Sequence, residues 1–373
     1  MRVLFLTFHG FSPHSGISKK MLAQIEGLRQ CGHEVDVCSY DFDERGHRCR
    51  YINGQVLQDY GKGRLSAFRN RMCFGALVDY CIQHRVEAVY ARSFHNAHPW
   101  TIHLFRRLRR AGIDCVMEIP TYPYDSEYAD AYLTMRMGWW IDRIFRRSLA
   151  SQFRAIVTFS DAERIFGAPT IRISNGVDFD QLPAREPRTP NADEVHLLAV
   201  AEVHYWHGFD RVLTGLSAYY ATNPARKVHF HVVGGLAPDE RALWDGIIAS
   251  GHLEPYIHFY GQLHGEALEE RFAQADFAIG SLGRHRSGID KIKTLKNREY
   301  AARGIPFVYS ETDEDFEQMP YIIKAPADES PLDIPRVLAF MDSCTLAPEE
   351  IRQSIQHLSW KEQMGRVFPP DSK

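Results

Sequence analysis

The stretch "GSLGRHRSGIDKIKTLKNREYAARGIPFV" at 280–308 holds seven cations, five of them crowded into its first seventeen residues: Arg284, Arg286, Lys291, Lys293 and Lys296. Its second half reads as a helix, Ala-rich in the middle, with Gly304 as the stop and Pro306 just beyond. Cations in the first turns oppose the positive end of the helix macrodipole, each at a cost of a few tenths of a kcal/mol or more. A pyrophosphate would remove the conflict, because helix terminus and cations then act on one anion. At about 100° per residue, Glu299 falls between Ile292 and Leu295 on the packing face, where a carboxylate can accept hydrogen bonds from ribose hydroxyls. The local alternative pairs Glu299 with Lys296 or Arg303 at helical spacing, contributing a few tenths of a kcal/mol.

Other strand-to-helix loops carry similar chemistry. "FHGFSPHSGISKK" places Gly10 and Gly16 ahead of a helix opening near Ser18, where backbone N–H groups can receive phosphate oxygens. Its spacing is not G-x-G-x-x-G, so a dinucleotide fingerprint is absent. "HYWHGFDRVLTGL" repeats the arrangement, with His204 and His207 beside Gly208. "VVGGLAPDE" adds Gly234 and Gly235, which suit a ligand near the backbone or a plain turn equally. In "EIPTYPYDSEY", Glu118 ends a buried strand, and Tyr122, Tyr124 and Tyr128 with two prolines make a stiff wall suited to a sugar face. The D-x-D of Asp41 and Asp43 reads as a solvated loop rather than a metal site, so no metal ligands are assigned. "YLTMRMGWWIDRIFRRSLASQF" alternates aromatic and aliphatic residues with arginines; a packing helix and a membrane-surface helix share this pattern, and packing is favoured.

These loops need a scaffold that brings strand ends together. Short apolar runs such as "VLFLTF", "VDVCSY", "CVMEIP", "VHLLAVA", "VHFHVVG" and "PFVYS" alternate with helical stretches along all 373 residues. That alternation means α/β architecture, parallel sheets and right-handed crossovers, with ligands at the carboxyl ends of strands. The Pro-rich, polar "PAREPRTPNADE" reads as an interdomain linker. Seven scattered cysteines without a C-x-x-C pair suit a reducing cytosol, and no apolar run approaches a membrane span. Residues 1–190 carry 26 Lys+Arg against 20 Asp+Glu and the remainder 18 against 27, within a net charge of −3. The basic half suits an anionic surface or partner, whereas the whole is too acidic for a nucleic-acid binder.

The ordered motifs "GHEVDV", "SNGVDFD", "WHGFDRVLTGL", "HFHVVGG", "IHFYGQL", "LEERFAQADFAI" and "REYAARGIPFV" resemble the GT-B glycosyltransferases of family 4, which are retaining and use nucleotide sugars. "EIPTYPYD", "WHG" and "LKNREYAARGIPF" resemble a capsular and exopolysaccharide branch. The resemblance implies two doubly wound, Rossmann-like domains facing each other across a cleft: an acceptor-side domain over 1–185, a donor domain over 186–345, and a terminal helix over 346–373 crossing back. It implies no cofactor, the nucleotide sugar serving as co-substrate, and a glycan or lipid-linked acceptor. It places the enzyme in the cytoplasm, with peripheral contact at an anionic membrane.

Residue by residue, Gly16 would approach the donor phosphate and Glu299 would hold the ribose. Glu118 and His207 are the catalytic candidates; Gly208, Arg284, Arg286, Lys291 and Lys296 join the donor site. Two departures stand out. Glu202 and His207 occupy positions where the family has Arg and Lys, and Lys291 replaces the Glu that usually reads the sugar, which leaves the donor sugar open. A nucleotide-sugar epimerase or hydrolase on the same fold, or a non-catalytic nucleotide-sugar binder, are the alternatives.

Overall fold

The computed structural model describes residues 1–12, 15–94, 96–125, 133–187 and 191–370. Tyr128 and the centre of the Pro-rich linker lie outside them. The chain forms two compact units, Met1–Gly176 with Ser359–Lys373, and Val177–Leu358. The division between them falls at Gly176/Val177 and Leu358/Ser359.

The first unit runs β1 (Arg2–Leu6), α1 (Gly16–Gln30), β2 (Glu34–Phe42), β3 (Arg48–Ile52), β4 (Gln55–Asp59), α2 (Gly63–Met72), α3 (Gly75–Gln83), β5 (Ala88–Arg92), α4 (Pro99–Arg110), β6 (Asp114–Ile119), α5 (Leu133–Ala150), β7 (Ala155–Thr158), β8 (Arg164–Ile165) and β9 (Ala168–Arg172). Its nine-stranded sheet has the order β4-β3-β2-β1-β5-β6-β7-β9-β8. The central strands are parallel; β3, β4 and β8 pair antiparallel at the edges. Val3, Leu4, Phe5 and Leu6 are all fully buried, as expected of a parallel strand covered on both faces.

Helix α1 opens where Ser15 Oγ accepts the Ser18 N–H, and buries Met21, Ile25 and Leu28 on one stripe. Gly27 sits on that stripe because a Cβ there would lie 2.6 Å from the Trp360 carbonyl oxygen. Trp360, Met364 and Val367 thus join Met21, Ile25 and Leu28 in one core layer. The opposite sheet face is covered by α3, α4 and α5 through Leu77, Leu104, Phe105 and Leu149. Helix α5 fulfils the packing reading on its inner side, where Asp142 and Leu149 are buried, but Trp140, Ile141 and Ile144 stay exposed.

The second unit runs β10 (Glu194–Val200), α6 (Asp210–Tyr220), β11 (Lys227–Val233), α7 (Pro238–Gly251), β12 (Ile257–Phe259), α8 (Glu266–Gln274), β13 (Phe277–Ile279), α9 (Leu295–Ala302), β14 (Phe307–Tyr309), β15 (Ile322–Lys324), α10 (Ile334–Ser343) and α11 (Pro348–Ser354). The chain then returns to the first unit as α12 (Trp360–Val367). The second sheet is all parallel, in the order β12-β11-β10-β13-β14-β15. The order reverses between β10 and β13, so loops after these two strands diverge to opposite sides and leave a crevice at their carboxyl ends.

Candidate functional site

In the second unit the loop after β10 ends in a 3-10 turn, Tyr205–His207, closed by Gly208 at φ +63°. A Cβ on Gly208 would lie 2.6 Å from the Gly283 nitrogen, so only glycine fits. The His207 carbonyl accepts the Leu282 N–H at 2.7 Å, joining this loop to the one after β13. The His204 N–H donates to His207 Nδ1 at 3.0 Å, which leaves the ring proton on Nε2. Burial, followed by the nearby Lys296 and Arg284 charges, lowers the His207 pKa to about 2. The imidazole is therefore neutral, with its N–H at Nε2.

Around it lie buried polar atoms with no hydrogen-bond partner among the described residues: Lys296 Nζ, Arg284 Nε, Ser281 Oγ and both carboxyl oxygens of Glu311. Burial drives the Lys296 pKa down, opposed by Glu311, and drives the Glu311 pKa up, opposed in part by Lys296. Arg284 is shifted down by burial, with Glu311 countering. Its guanidinium lies 5.8 Å from the Trp206 ring, and Lys296 Nζ lies 5.5 Å from the Phe209 ring. Each buried donor or acceptor left unmade costs about 1–3 kcal/mol, more for a charged group. A phosphate-bearing ligand would satisfy Lys296, Arg284 and His207 Nε2 together, while Glu311 can take hydroxyl donors. Sequence reading missed Glu311; its signal was an acid immediately after the strand "FVYS".

Other expected donor-site residues have protein partners. Arg286 grips both Asp210 oxygens, at 2.9 and 2.8 Å, and Glu329, and these hydrogen bonds raise its pKa. It braces the loop instead of facing a ligand. Lys291 is exposed and pairs with Glu314. Glu299 accepts from Arg303 at 3.2 Å, the local pairing weighed above. Gly234 and Gly235 are packing glycines: a Cβ would lie 1.7 Å from the Ala201 oxygen and 2.3 Å from the Glu202 carboxylate, respectively.

The first unit holds the other expected residues. Glu118 is fully buried. It accepts from Arg92 at 2.8 Å, Gln24 Nε2 at 2.6 Å and the Tyr90 hydroxyl, with Lys20 at 3.8 Å. Burial pushes its pKa up, but Lys20, Arg92, Tyr90 and Gln24 together hold it below the ordinary value. Lys20 Nζ also lies 3.5 Å over the Phe159 ring. This knot ties α1 to β5 and β6, with Gln24 Oε1 left buried without a hydrogen-bond partner among the described residues, and it gives Glu118 an anchoring role beside the catalytic one expected of it. Two of the wall tyrosines have protein partners: the Tyr124 hydroxyl donates to buried Asp142 at 2.7 Å, and Tyr122 packs edge-on to Phe166. Gly16 is the first residue of α1, and a Cβ there would meet nothing within 4 Å, so packing does not demand glycine.

Among the described residues one group brings metal-ligating atoms together, Asp43, Cys49 and Asp59. Asp43 already accepts from Arg45 and Asp59 accepts from His47. Asp41 Oδ1 accepts the Phe42 N–H, so the D-x-D caps its own loop.

No family model and no curated protein matches the chain. Solved structures do. A glycosyltransferase from Rickettsia africae aligns with a TM-score of 0.60 at 12% identity, over 98% of this chain and 96% of that one. The chain has the GT-B fold. Two further GT-B structures align similarly. Anabaena HepE in complex with UDP gives 0.58 at 14% identity, covering 98% of each chain. The catalytic domain of Arabidopsis thaliana starch synthase IV, bound to ADP and acarbose, gives 0.58 at 11%, covering 98% and 97%. At these identities the likeness fixes the GT-B architecture and leaves chemistry to the residues themselves.

Proposed function

We propose that the chain is a retaining glycosyltransferase moving a sugar from a nucleoside-diphosphate sugar to a glycan or lipid-linked acceptor in bacterial surface polysaccharide synthesis. The single supporting observation is the convergence of Lys296, Arg284 and neutral His207 on one spot where Lys296 Nζ and Arg284 Nε are buried with no hydrogen-bond partner among the described residues. A diphosphate leaving group carries developing charge, and preorganised donors in a low-dielectric site stabilise it best. Gly208 keeps the backbone close enough for the loops after β10 and β13 to act on the same anion. Glu311 would bind ribose or sugar hydroxyls, a task the sequence resemblance gave to Glu299. Glu118 would be a positioning residue, holding Lys20 and Arg92 and the start of α1, with Gly16 at its tip. The reaction would use no metal, and the enzyme would work in the cytoplasm with peripheral contact at the membrane.

HepE with UDP and starch synthase IV with ADP are nucleotide-bound proteins of the same fold, which supports the donor class. The test is a thermal-shift screen of UDP, ADP, GDP and their sugar conjugates, with and without magnesium. One diphosphate series should raise the melting temperature by mass action, magnesium changing nothing. No shift from any of them would end this reading. Transfer with retention is then read from the anomeric configuration of the product. A non-catalytic nucleotide-binding role is favoured by Glu202, whose carboxylate packs under Gly235 and accepts from Gln262 at 3.1 Å, where the resembled family has a cation. Nucleotide binding with no turnover on any acceptor would select it.

A further inference from the structure

The outer surface of three helices in the first unit has a composition that the sheet does not require. On α5, Trp140, Ile141 and Ile144 are exposed at 54, 44 and 67%, spaced to form a stripe opposite the buried Asp142 and Leu149. On α2, Leu65 and Phe68 are exposed at 72 and 66%, and Trp100 on the first turn of α4 at 44%. Helix α4 touches both α2 and α5, so the six residues belong to one layer. Helices α4 and α5 follow the central parallel strands β5 and β6, and α2 follows the edge strand β4, which runs in the same direction as β2, so all three follow the carboxyl ends of like-directed strands.

The charges on this layer are one-sided. Arg64, Arg69, Arg106, Arg110, Arg143 and Arg147 are exposed, α2 and α4 contain no acidic residue, and the single acid of α5, Asp142, is buried. The Arg143 guanidinium lies 5.4 Å from the Trp140 ring, its charge held beside the apolar stripe. No helix is long and apolar enough to cross a membrane among the described residues. Aromatic and aliphatic residues bordered by arginines with no acids is the make-up of a helix lying in a bilayer interface. Two copies of the chain meeting through this layer would set cation against cation, which argues against self-association.

We propose that the α2–α4–α5 layer docks on an anionic phospholipid bilayer, Trp100, Trp140, Ile141 and Ile144 entering the headgroup boundary and the arginines neutralising lipid phosphates. This assigns a surface to the peripheral contact proposed above and does not rest on the nucleotide chemistry of the second unit. The experiment is flotation of the full chain with vesicles of phosphatidylcholine alone or mixed equally with phosphatidylglycerol. Wild type should partition at least tenfold better onto the anionic vesicles and lose that preference in high salt. The pair Arg143→Glu and Arg147→Glu should reduce partitioning more than tenfold, since each basic residue near the surface contributes roughly fivefold. The pair Ile141→Ser and Ile144→Ser should release the protein although its charge is unchanged. Both variants should keep the wild-type melting temperature and nucleotide response, which separates this proposal from the donor site. Equal binding to both vesicle types, wild-type binding by both variants, or no vesicle binding with dimers that the same substitutions dissociate would each overturn it. So would an acidic protein that the layer captures while vesicles are ignored.

Discussion

The two buried charge clusters of this chain make a useful pair. Around Glu118 one carboxylate meets two cations and two neutral donors within bonding reach, and every charge is answered. Around Lys296 and Glu311 opposite charges lie close enough to shift each other's titration, yet neither side chain makes a hydrogen bond to another described residue. A closed network serves the fold, because its energy is recovered within the chain. An open one raises the energy of the free protein, and a ligand with matching oxygens and hydroxyls lowers it.

Substitutions can break that contrast. The largest effect belongs to Glu118→Leu, which strands Lys20 and Arg92 in the core. A loss of about 3–5 kcal/mol is expected in urea denaturation, and an unchanged midpoint would show the knot to be unimportant to the fold. Lys296→Met removes a buried charge that has no hydrogen-bond partner among the described residues, so the free protein should be no less stable than wild type. Its stabilisation by nucleotide should vanish, about 2.7 kcal/mol at a ligand concentration a hundredfold above Kd. Destabilisation of the free protein by Lys296→Met, of the size seen with Glu118→Leu, would erase the distinction between the clusters.

A smaller effect concerns the histidines on adjacent strands β10, β11 and β12. His231 Nε2 faces His196 Nδ1 at 3.0 Å, His231 Nδ1 faces the Tyr260 hydroxyl, and His229 Nδ1 faces His258 Nε2 at 3.1 Å. Burial first, and the neighbouring imidazoles with Arg271 second, lowers the His231 pKa to about 3; His229 and His258 shift the same way. A histidine with a lowered folded pKa binds protons more readily when unfolded. Its stabilisation is therefore complete above the unfolded value of about 6.5 and is lost as pH falls below it. Stability of the second unit should fall by up to about 1.4 kcal/mol per pH unit for each such histidine, and His231→Gln should flatten the slope. Melting temperatures between neutral pH and acid check this.

The strand-helix alternation made the α/β class legible, because buried parallel strands must be apolar on both faces and their crossovers must be amphipathic. The candidate site was legible in part. Arg284, Lys296, His207 and Gly208 come together as their loop positions suggested, each lying at the carboxyl end of a strand. Arg286 and Lys291 are cations of the same stretch but meet Asp210 and Glu314, and the carboxylate of Glu299 meets Arg303. Nothing in one-dimensional spacing distinguishes a cation that a distant carboxylate will satisfy from one that none will reach.

Residue order alone determined where backbone must turn tightly, which runs must be buried, and how many cations crowd the path to α9, since these follow from side-chain size and hydration. Tertiary structure alone decided which charges are answered. It folded Glu118 into a knot with residues 26 to 98 positions away and brought Glu311 to Lys296 from the next strand. Electrostatic energy depends on separation and burial in space, and both are set only when the sheets assemble.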